Sequence, residues 1–313
     1  MFSLSTFDSS IDVLFGASLA ILGLVLGSFL NVVIARVPRG ESIVRPRSRC
    51  PHCGHALPWH ENIPLFSWLY LRGKCSSCKT PISWRYPMVE LLTALLFLAC
   101  LRRFGWTWEL AAALMLTTLL IPLTFMDLEH WLLPFALTIP GIALGILFSI
   151  PLGLEQVRDS ALGAAAGFFG FLALEQVGRK IFKKEALGGG DKYLLATIGA
   201  FLTYRSLLGV VFLASLQGAL VGSILLAVQG RAGPAPPPPA QDKPTQAPPA
   251  PGAGKSDASP TLSPDEEEDW RPGPTNLPFG PWLALGALEV MLLGPWLAEQ
   301  LPWRAMQILV SGG

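Results

Sequence analysis

Two aspartates at the ends of apolar segments are the residues of this chain best placed to do chemistry. Asp127 follows the apolar run Leu110–Met126, and Asp191 follows three glycines and precedes an apolar segment that begins after Lys192. Ionisable side chains at the edge of a hydrophobic segment are candidates for function. Each acid alone also has a structural interpretation, because an aspartate just before a helix caps the first turn of that helix.

Taken together, the two aspartates suggest an aspartic dyad. Two carboxylates a few ångströms apart cannot both ionise, so such a pair holds one proton at intermediate pH. One member then acts as general base on water, while the other donates a hydrogen bond or proton to the scissile carbonyl. We therefore expect Asp127 and Asp191 to be catalytic. Gly188, Gly189 and Gly190 would let a substrate strand approach the backbone closely, which makes them candidate substrate-binding residues.

Four cysteines form two closely spaced pairs, Cys50-x-x-Cys53 and Cys75-x-x-Cys78. Four thiolates on two tight turns make a closed tetrahedral site, the kind that holds structural zinc and folds a small domain. A redox-active pair and cysteines without metal remain alternatives. The fifth cysteine, Cys100, lies alone in an apolar segment and is expected to pack as a small hydrophobic residue.

Other catalytic signatures are absent from the sequence. It contains no His-Glu-x-x-His of a metalloprotease, no Gly-x-Ser-x-Gly and no Walker A motif. Two further acids lie in or near apolar segments, where buried acids are often functional. Glu90 is interpreted as an interfacial anchor near Arg85, and the sequence suggests no role for Glu289.

The composition is that of a membrane protein. Charged residues make up 14% of the chain and hydrophobic residues 51%, and the mean hydropathy is +0.47, whereas a soluble domain carries about 25% charged residues. No basic region precedes the first apolar run and no small-residue cleavage site follows it, so we expect a retained membrane span. The net charge of +1 points to no nucleic-acid partner.

The distribution of charge predicts the topology. The segment Arg36–Tyr86 carries nine basic residues and two acidic ones, so the positive-inside rule makes it cytoplasmic and the N-terminus external. Counting spans from there places Asp127 and the Gly-Gly-Gly-Asp run on the cytoplasmic side.

The apolar segments predict an all-α polytopic membrane protein with about eight transmembrane helices and a small zinc-ribbon-like domain inserted after the first. A straight span needs roughly 20 residues, so the short sixth segment is a tilted half-helix or part of a tight hairpin with the seventh. The predicted segments are Val13–Ala35, Met88–Leu101, Leu110–Met126, Leu132–Pro151, Ala161–Val177, Tyr193–Tyr204, Leu207–Val228 and Phe279–Leu301.

A proline-rich stretch separates the last two spans. Its proline density excludes helix and sheet and favours a disordered, polyproline-like linker, either a docking tail or simply a tolerated insertion. The predicted division is 1–35 for the first transmembrane helix, 36–87 for the zinc-binding domain, 88–229 for the protease core, 230–276 for the linker and 277–313 for the last helix.

Several ordered motifs resemble those of the bacterial type IV prepilin peptidases, membrane aspartic proteases with a Gly-x-Gly-Asp motif. The resemblance covers nearly the whole chain except the proline-rich insert. Its motifs are Gly27–Val32 with Arg36 and Pro38, the two cysteine pairs, Ile82–Glu90, Asp127–Pro134, Gly188–Asp191 and Leu277–Pro281.

The resemblance implies that Asp127 and Asp191 are the catalytic pair. It implies removal of a short basic leader from prepilins and pseudopilins on the cytoplasmic side of the bacterial inner membrane, where lipid surrounds the enzyme. Substrates of the family carry this positive leader before an apolar helix. The family also commonly methylates the new N-terminus with S-adenosylmethionine, an activity linked to the large cytoplasmic loop, although no residue for the methyl donor can be named.

Three features depart from the family pattern. Phe135 stands where an acidic or amide residue is frequent, Lys192 directly follows Asp191, and the proline-rich insert is atypical. None removes a catalytic group. There are two alternative functions. A proton-coupled transporter should place acids at mid-membrane and show repeated halves, whereas here both acids fall at one interface and the sequence shows no internal repeat. A catalytically inactive assembly factor that binds pilin helices remains open.

Overall fold

The computed structural model describes residues 10–182, 188–233 and 276–300. Over these ranges the regular elements are helices, with only two isolated β-bridges in the loop that follows the first helix. The α-helices are α1 (Ser10–Arg36), α2 (Phe66–Tyr70), α3 (Arg85–Phe104), α4 (Trp108–His130), α5 (Phe135–Ser149), α6 (Leu154–Phe182), α7 (Asp191–Gln229) and α8 (Gly280–Gln300).

Six of these helices are long and apolar enough to cross a membrane, namely α1, α4, α5, α6, α7 and α8. The predicted all-α multi-pass architecture is therefore confirmed. The second predicted span corresponds to α3, which has 20 residues but a lower mean hydropathy because charged residues lie near both of its ends. The sixth and seventh predicted spans are joined in α7, which has 39 residues.

Helix α7 consists of two arms that meet at Thr203, whose φ of 65° and ψ of 169° are not helical. The first arm packs against α6 and the second against α8. Both outer ends of α7 return to the segment after α4, since Gly190 lies against Leu133 and Gly233 against Trp131. The chain thus reverses at Thr203, which agrees with the hairpin alternative for this region.

Close backbone contacts hold the helices together. A Cβ on Gly163 of α6 would lie 2.1 Å from the carbonyl oxygen of Gly199 in α7, so only glycine allows this approach. Likewise, a Cβ on Gly27 of α1 would lie 2.7 Å from the Cα of Glu90 in α3. Small residues permit such contacts where apolar side chains alone cannot drive association.

One apolar core joins the helices that carry the two aspartates. Leu116 and Leu123 of α4, Leu194 and Ile198 of α7, and Leu283 of α8 are all fully buried in this core. The end of α4 and the beginnings of α7 and α8 are therefore fixed relative to one another by packing, and these three helix ends build the site described below.

The two ends of the predicted linker are close together. A Cβ on Gly233, after α7, would lie 2.5 Å from the carbonyl oxygen of Asn276, before α8. The predicted linker falls mainly on residues 234–275, which lie outside the described residues, and the predicted domain boundaries stay predictions.

Candidate active site and cysteine cluster

Asp127 lies in the last turn of α4 and is 6% exposed. It does not cap the following helix, because the N-cap of α5 is Pro134 and receives no side-chain hydrogen bond. Instead, its Oδ2 accepts a hydrogen bond of 3.0 Å from the backbone N–H of Gly280, the first residue of α8. The carboxyl group thus occupies the N-terminus of a helix that is distant in sequence, where the helix dipole favours negative charge.

This contact requires glycine at position 280. A Cβ there would lie 2.6 Å from Oδ2 of Asp127 and 3.4 Å from Leu133. The left-handed conformation of Trp131, with φ 55° and ψ 34°, ends α4 and turns the chain towards Leu133. The Leu277–Pro281 motif contains Gly280, but nothing in the motif indicates a contact with Asp127.

Asp191 is the first residue of α7 and is 4% exposed. As an N-cap, Asp191 would precede a helix that begins at Lys192. The helix begins at Asp191 instead, and its N-cap is Gly190, which has no side chain to cap it. The backbone of Gly188 hydrogen-bonds the Asp191 carboxyl group. A Cβ on Gly188 would lie 3.0 Å from that carboxyl group.

The three glycines differ in their surroundings. Gly190 packs against Leu133, where an added Cβ would lie 2.8 Å from the Leu133 Cβ, whereas Gly189 has open space around it. Internal contacts therefore account for Gly188 and Gly190. Of the three, Gly189 is the one with room beside it for another molecule.

The structure places Asp127 and Asp191 on either side of Leu133. Asp127 is close enough for its charge to act on the Asp191 carboxyl group. Leu133 contacts both Gly190, which precedes Asp191, and Gly280, which binds Asp127. Both acids lie at helix ends rather than at mid-helix, which disfavours the transporter interpretation.

Two ion pairs flank the acids, and the sequence did not predict either of them. Lys192 Nζ lies 3.2 Å from Oε2 of Glu175 on α6, so the lysine that follows Asp191 is held by an acid from another helix. Arg85, at the start of α3, pairs with Glu129 near the end of α4. The partner of Arg85 is therefore an acid of α4.

The four cysteine sulfurs lie within 4.8 Å of one another. The Sγ atoms of Cys50 and Cys78 are 3.8 Å apart, and those of Cys53 and Cys75 are 3.9 Å apart. Tetrahedral zinc with bonds of about 2.3 Å places its sulfur ligands about 3.8 Å apart. The cluster therefore fits structural zinc.

The two cysteine turns share one backbone design. In each, the residue after the second cysteine has a positive φ, 72° at Gly54 and 61° at Lys79. The N–H of each donates to the carbonyl of the first cysteine, Cys50 or Cys75, at 3.0 and 3.1 Å. The hydroxyl of Thr80 lies 3.2 Å from Sγ of Cys78, and its hydrogen bond lowers the pKa of the Cys78 thiol to about 6. The thiolate is the form that binds metal. Against a backbone hydrogen bond that lowers it, desolvation and the neighbouring cysteines raise the pKa of the Cys53 thiol to about 11.

Two buried or partly buried acids fix this loop. Glu61 joins the two cysteine turns, with Oε2 3.0 Å from the Ser76 hydroxyl and 3.4 Å from Nε2 of His55. Glu90 of α3 is buried and accepts a hydrogen bond of 2.8 Å from the N–H of Leu65 in the loop. Glu90 is therefore an attachment point between the loop and the helices rather than an interfacial anchor.

A cavity of about 340 Å³ lies between the C-terminal end of α1 and the cysteine loop. Its lining combines two guanidinium groups, Arg36 and Arg47, with the hydroxyl of Ser28, the amide of Asn62 and the ring of Phe29. The two guanidinium groups suit a carboxylate, and Phe29 offers an apolar face for a flat ring.

Sequence comparison gives matches along most of the chain. The profile of the Bacterial Peptidase A24 N-terminal domain matches residues 21–104, and that of the Type IV leader peptidase family matches residues 114–223. The chain is 55% identical to a prepilin leader peptidase/N-methyltransferase of Myxococcus xanthus (strain DK1622), over 92% of this chain and 93% of the relative.

More distant relatives carry the same name. The chain is 42% identical to the protein of Aeromonas hydrophila, over 64% of this chain and 78% of the relative. It is 38% identical to that of Neisseria gonorrhoeae, over 68% and 82%. No solved structure matches the chain.

Proposed function

Because the chain belongs to the type IV leader peptidase family, we propose that it is a membrane aspartic endopeptidase that removes the short basic leader from type IV prepilins and pseudopilins. The observation that carries this proposal is the meeting of two buried acids, Asp127 and Asp191, from the ends of two different helices. Buried acids in a membrane protein are costly and are kept where they function.

A backbone group holds each of the two carboxyl groups in place. Gly280 holds Oδ2 of Asp127, which leaves the second oxygen to face a water molecule or the peptide. Gly188 holds the Asp191 carboxyl group. One acid of the pair removes a proton from the attacking water, and the other gives a proton to the peptide carbonyl. Fixing both groups by backbone donors avoids reorganisation during the reaction.

The orientation of the enzyme follows from the charge of the loop. Its excess of basic residues supports a cytoplasmic loop in the bacterial inner membrane. The loop is attached to α3 by the contact between Glu90 and Leu65. The end of α4 is joined to the start of α3 by the ion pair between Glu129 and Arg85. The site would therefore receive the leader from the cytoplasm.

Methylation of the new N-terminus is the second activity of the proposal. S-adenosylmethionine supplies the methyl group when bound, and the cavity between α1 and the cysteine loop offers groups to hold it. Arg36 and Arg47 would bind its carboxylate, and Phe29 would stack on its adenine. Zinc held by Cys50, Cys53, Cys75 and Cys78 would keep the wall of this cavity folded.

The donor site can be tested by binding rather than turnover. Arg47→Ala should weaken S-adenosylmethionine binding in calorimetry about tenfold or more, since it removes one charge-assisted contact. Arg72→Ala, also in the loop but outside the cavity, is the matched control and should bind as the wild type does. Equal binding by both variants would remove the cavity from the proposal.

The function itself is tested by incubating the purified membrane protein with a prepilin and labelled S-adenosylmethionine and measuring the product by mass spectrometry. The expected product lacks the leader and carries one methyl group on its N-terminus. An uncleaved prepilin would contradict the peptidase proposal, and a cleaved but unmethylated product would contradict the methyltransferase proposal alone.

A further inference from the structure

A long apolar groove runs along the helices beside the candidate active site. It has a volume of about 670 Å³ and is lined by α3, α4 and α8. Helix α4 forms its floor, because α4 packs against both α3 and α8, while α3 and α8 hardly touch each other. We call this the α3/α4/α8 groove.

The groove is open along one side. Leu92 of α3 is 36% exposed, and Leu285 and Leu293 of α8 are 41% and 45% exposed. All three line the groove. In a membrane this opening faces lipid, so a second helix can enter the groove laterally without crossing water.

One end of the groove adjoins Asp127. Its floor includes Thr124 and Phe125, which precede Asp127 by three and two residues. Its wall begins at Pro281, directly after Gly280, whose N–H binds the Asp127 carboxyl group. The groove therefore begins beside the helix ends that hold Asp127.

The length and lining of the groove suit an apolar helix. From Pro281 to Leu293 it follows thirteen residues of α8, a rise of about 18 Å at 1.5 Å per residue. The wall is aliphatic or aromatic between these points except for Glu289, whose carboxylate is taken by Gln217 of α7. Arg102 and Arg103 close the far end.

We propose that the α3/α4/α8 groove binds the apolar helix of the prepilin, so that the bond joining leader and helix lies at Asp127 and Asp191. This inference rests on the proposed peptidase function and adds how the substrate is positioned. The leader is expected to stay on the cytoplasmic side while the helix remains in the membrane. Binding energy from the groove then places the scissile bond at the acids.

Crosslinking tests the occupant. A benzoylphenylalanine replaces Leu285 in the groove, and in a matched control it replaces Leu220, which is 61% exposed on α7 and outside the groove. Both proteins carry Asp191→Asn to retain uncleaved prepilin. We expect a prepilin crosslink through its apolar helix from position 285 and none from position 220. Crosslinks to lipid alone at position 285, no crosslink there, or equal prepilin crosslinking at both positions would overturn the proposal.

Kinetics provide the second test, in otherwise wild-type protein. Leu285→Trp narrows an exposed part of the groove and should raise KM for full-length prepilin about tenfold, with a much smaller change in kcat. Leu220→Trp should leave both constants as in the wild type. An unchanged KM in Leu285→Trp would overturn the groove proposal, whereas failure of the wild-type protein to cleave prepilin would instead overturn the peptidase function.

Discussion

The cysteine cluster and the aspartate pair are two sites of very different construction. The cluster is local, because Cys50 and Cys78 are only 28 residues apart and each turn closes on its own backbone hydrogen bonds. The aspartate site is assembled from the ends of α4, α7 and α8, and its hydrogen bond from Gly280 to Asp127 joins residues 153 positions apart. The first site therefore depends on residues of a single loop, and the second depends on the whole helical bundle.

The largest expected effect is the loss of catalysis when either acid is neutralised. Asp127→Asn and Asp191→Asn should each lower leader cleavage about a thousandfold or more, because each removes one proton-transfer group. Cleavage of prepilin by purified protein measures this. Glu109→Gln, an exposed acid at the other end of α4, is the matched control. Substantial cleavage by either aspartate variant would break the dyad assignment.

Loss of the metal ligands should act on the loop first. The double variant Cys50→Ser with Cys75→Ser removes one ligand from each turn, so zinc content should fall and the loop should lose its protection from proteolysis. Methyl transfer should decrease more than leader cleavage. Metal analysis and limited proteolysis measure these changes, with Cys100→Ala as a control that keeps the cluster. A zinc-free protein with an intact loop would contradict the structural role.

A smaller but specific effect is expected at Gly280. Gly280→Ala puts a Cβ where 2.6 Å separates it from Oδ2 of Asp127, so the carboxyl group must move. We expect kcat to fall about a hundredfold while both acids remain present. Gly170→Ala, at a position on α6 with open space around it, should have little effect. Equal activity of the two variants would show that the Gly280 contact does not position Asp127.

The smallest effect concerns the two cysteine turns themselves. Lys79 has a left-handed backbone that costs a non-glycine residue about 1 kcal/mol, and Gly54 occupies the equivalent place without that cost. Lys79→Gly should therefore raise the free energy of local unfolding of the loop by about 1 kcal/mol, and Gly54→Ala should lower it by a similar amount. Hydrogen exchange of the loop amides measures both. Changes of the same sign would show that the two turns are not equivalent.

The sequence was sufficient for the features that depend on nearby residues. Helix α1 extends a few residues beyond the predicted span Val13–Ala35, and the cysteine spacing indicated a cluster that the structure contains. Hydropathy and turn geometry act over short distances, so a single chain carries that information. The two acids were identified as a pair by counting spans and by family motifs.

Contacts between residues that are distant in the sequence could not be predicted from the single chain. Gly280 carries no side chain that would mark its amide as a partner of Asp127. A capping interaction predicted from the sequence involves the helix that directly follows, which here is α5. Glu90 is close to Arg85 in sequence, whereas its hydrogen-bond partner Leu65 lies 25 residues away on the loop. In the sequence, the reversal at Thr203 is indicated only by a short apolar segment. Composition does not reveal it, because two helices joined at one non-helical residue have the same composition as one continuous helix.

The contact between Gly233 and Asn276 makes this part of the chain a site where an inserted segment can vary in length. Its two anchor points are fixed by the bundle, so the separation that any intervening polypeptide must bridge is independent of the length of that polypeptide. For a flexible segment, doubling that length costs only about 0.6 kcal/mol in closure entropy. Evolution, or an engineer adding a fluorescent domain, can change the size of the protein here while the geometry at Asp127 and Gly280 is preserved.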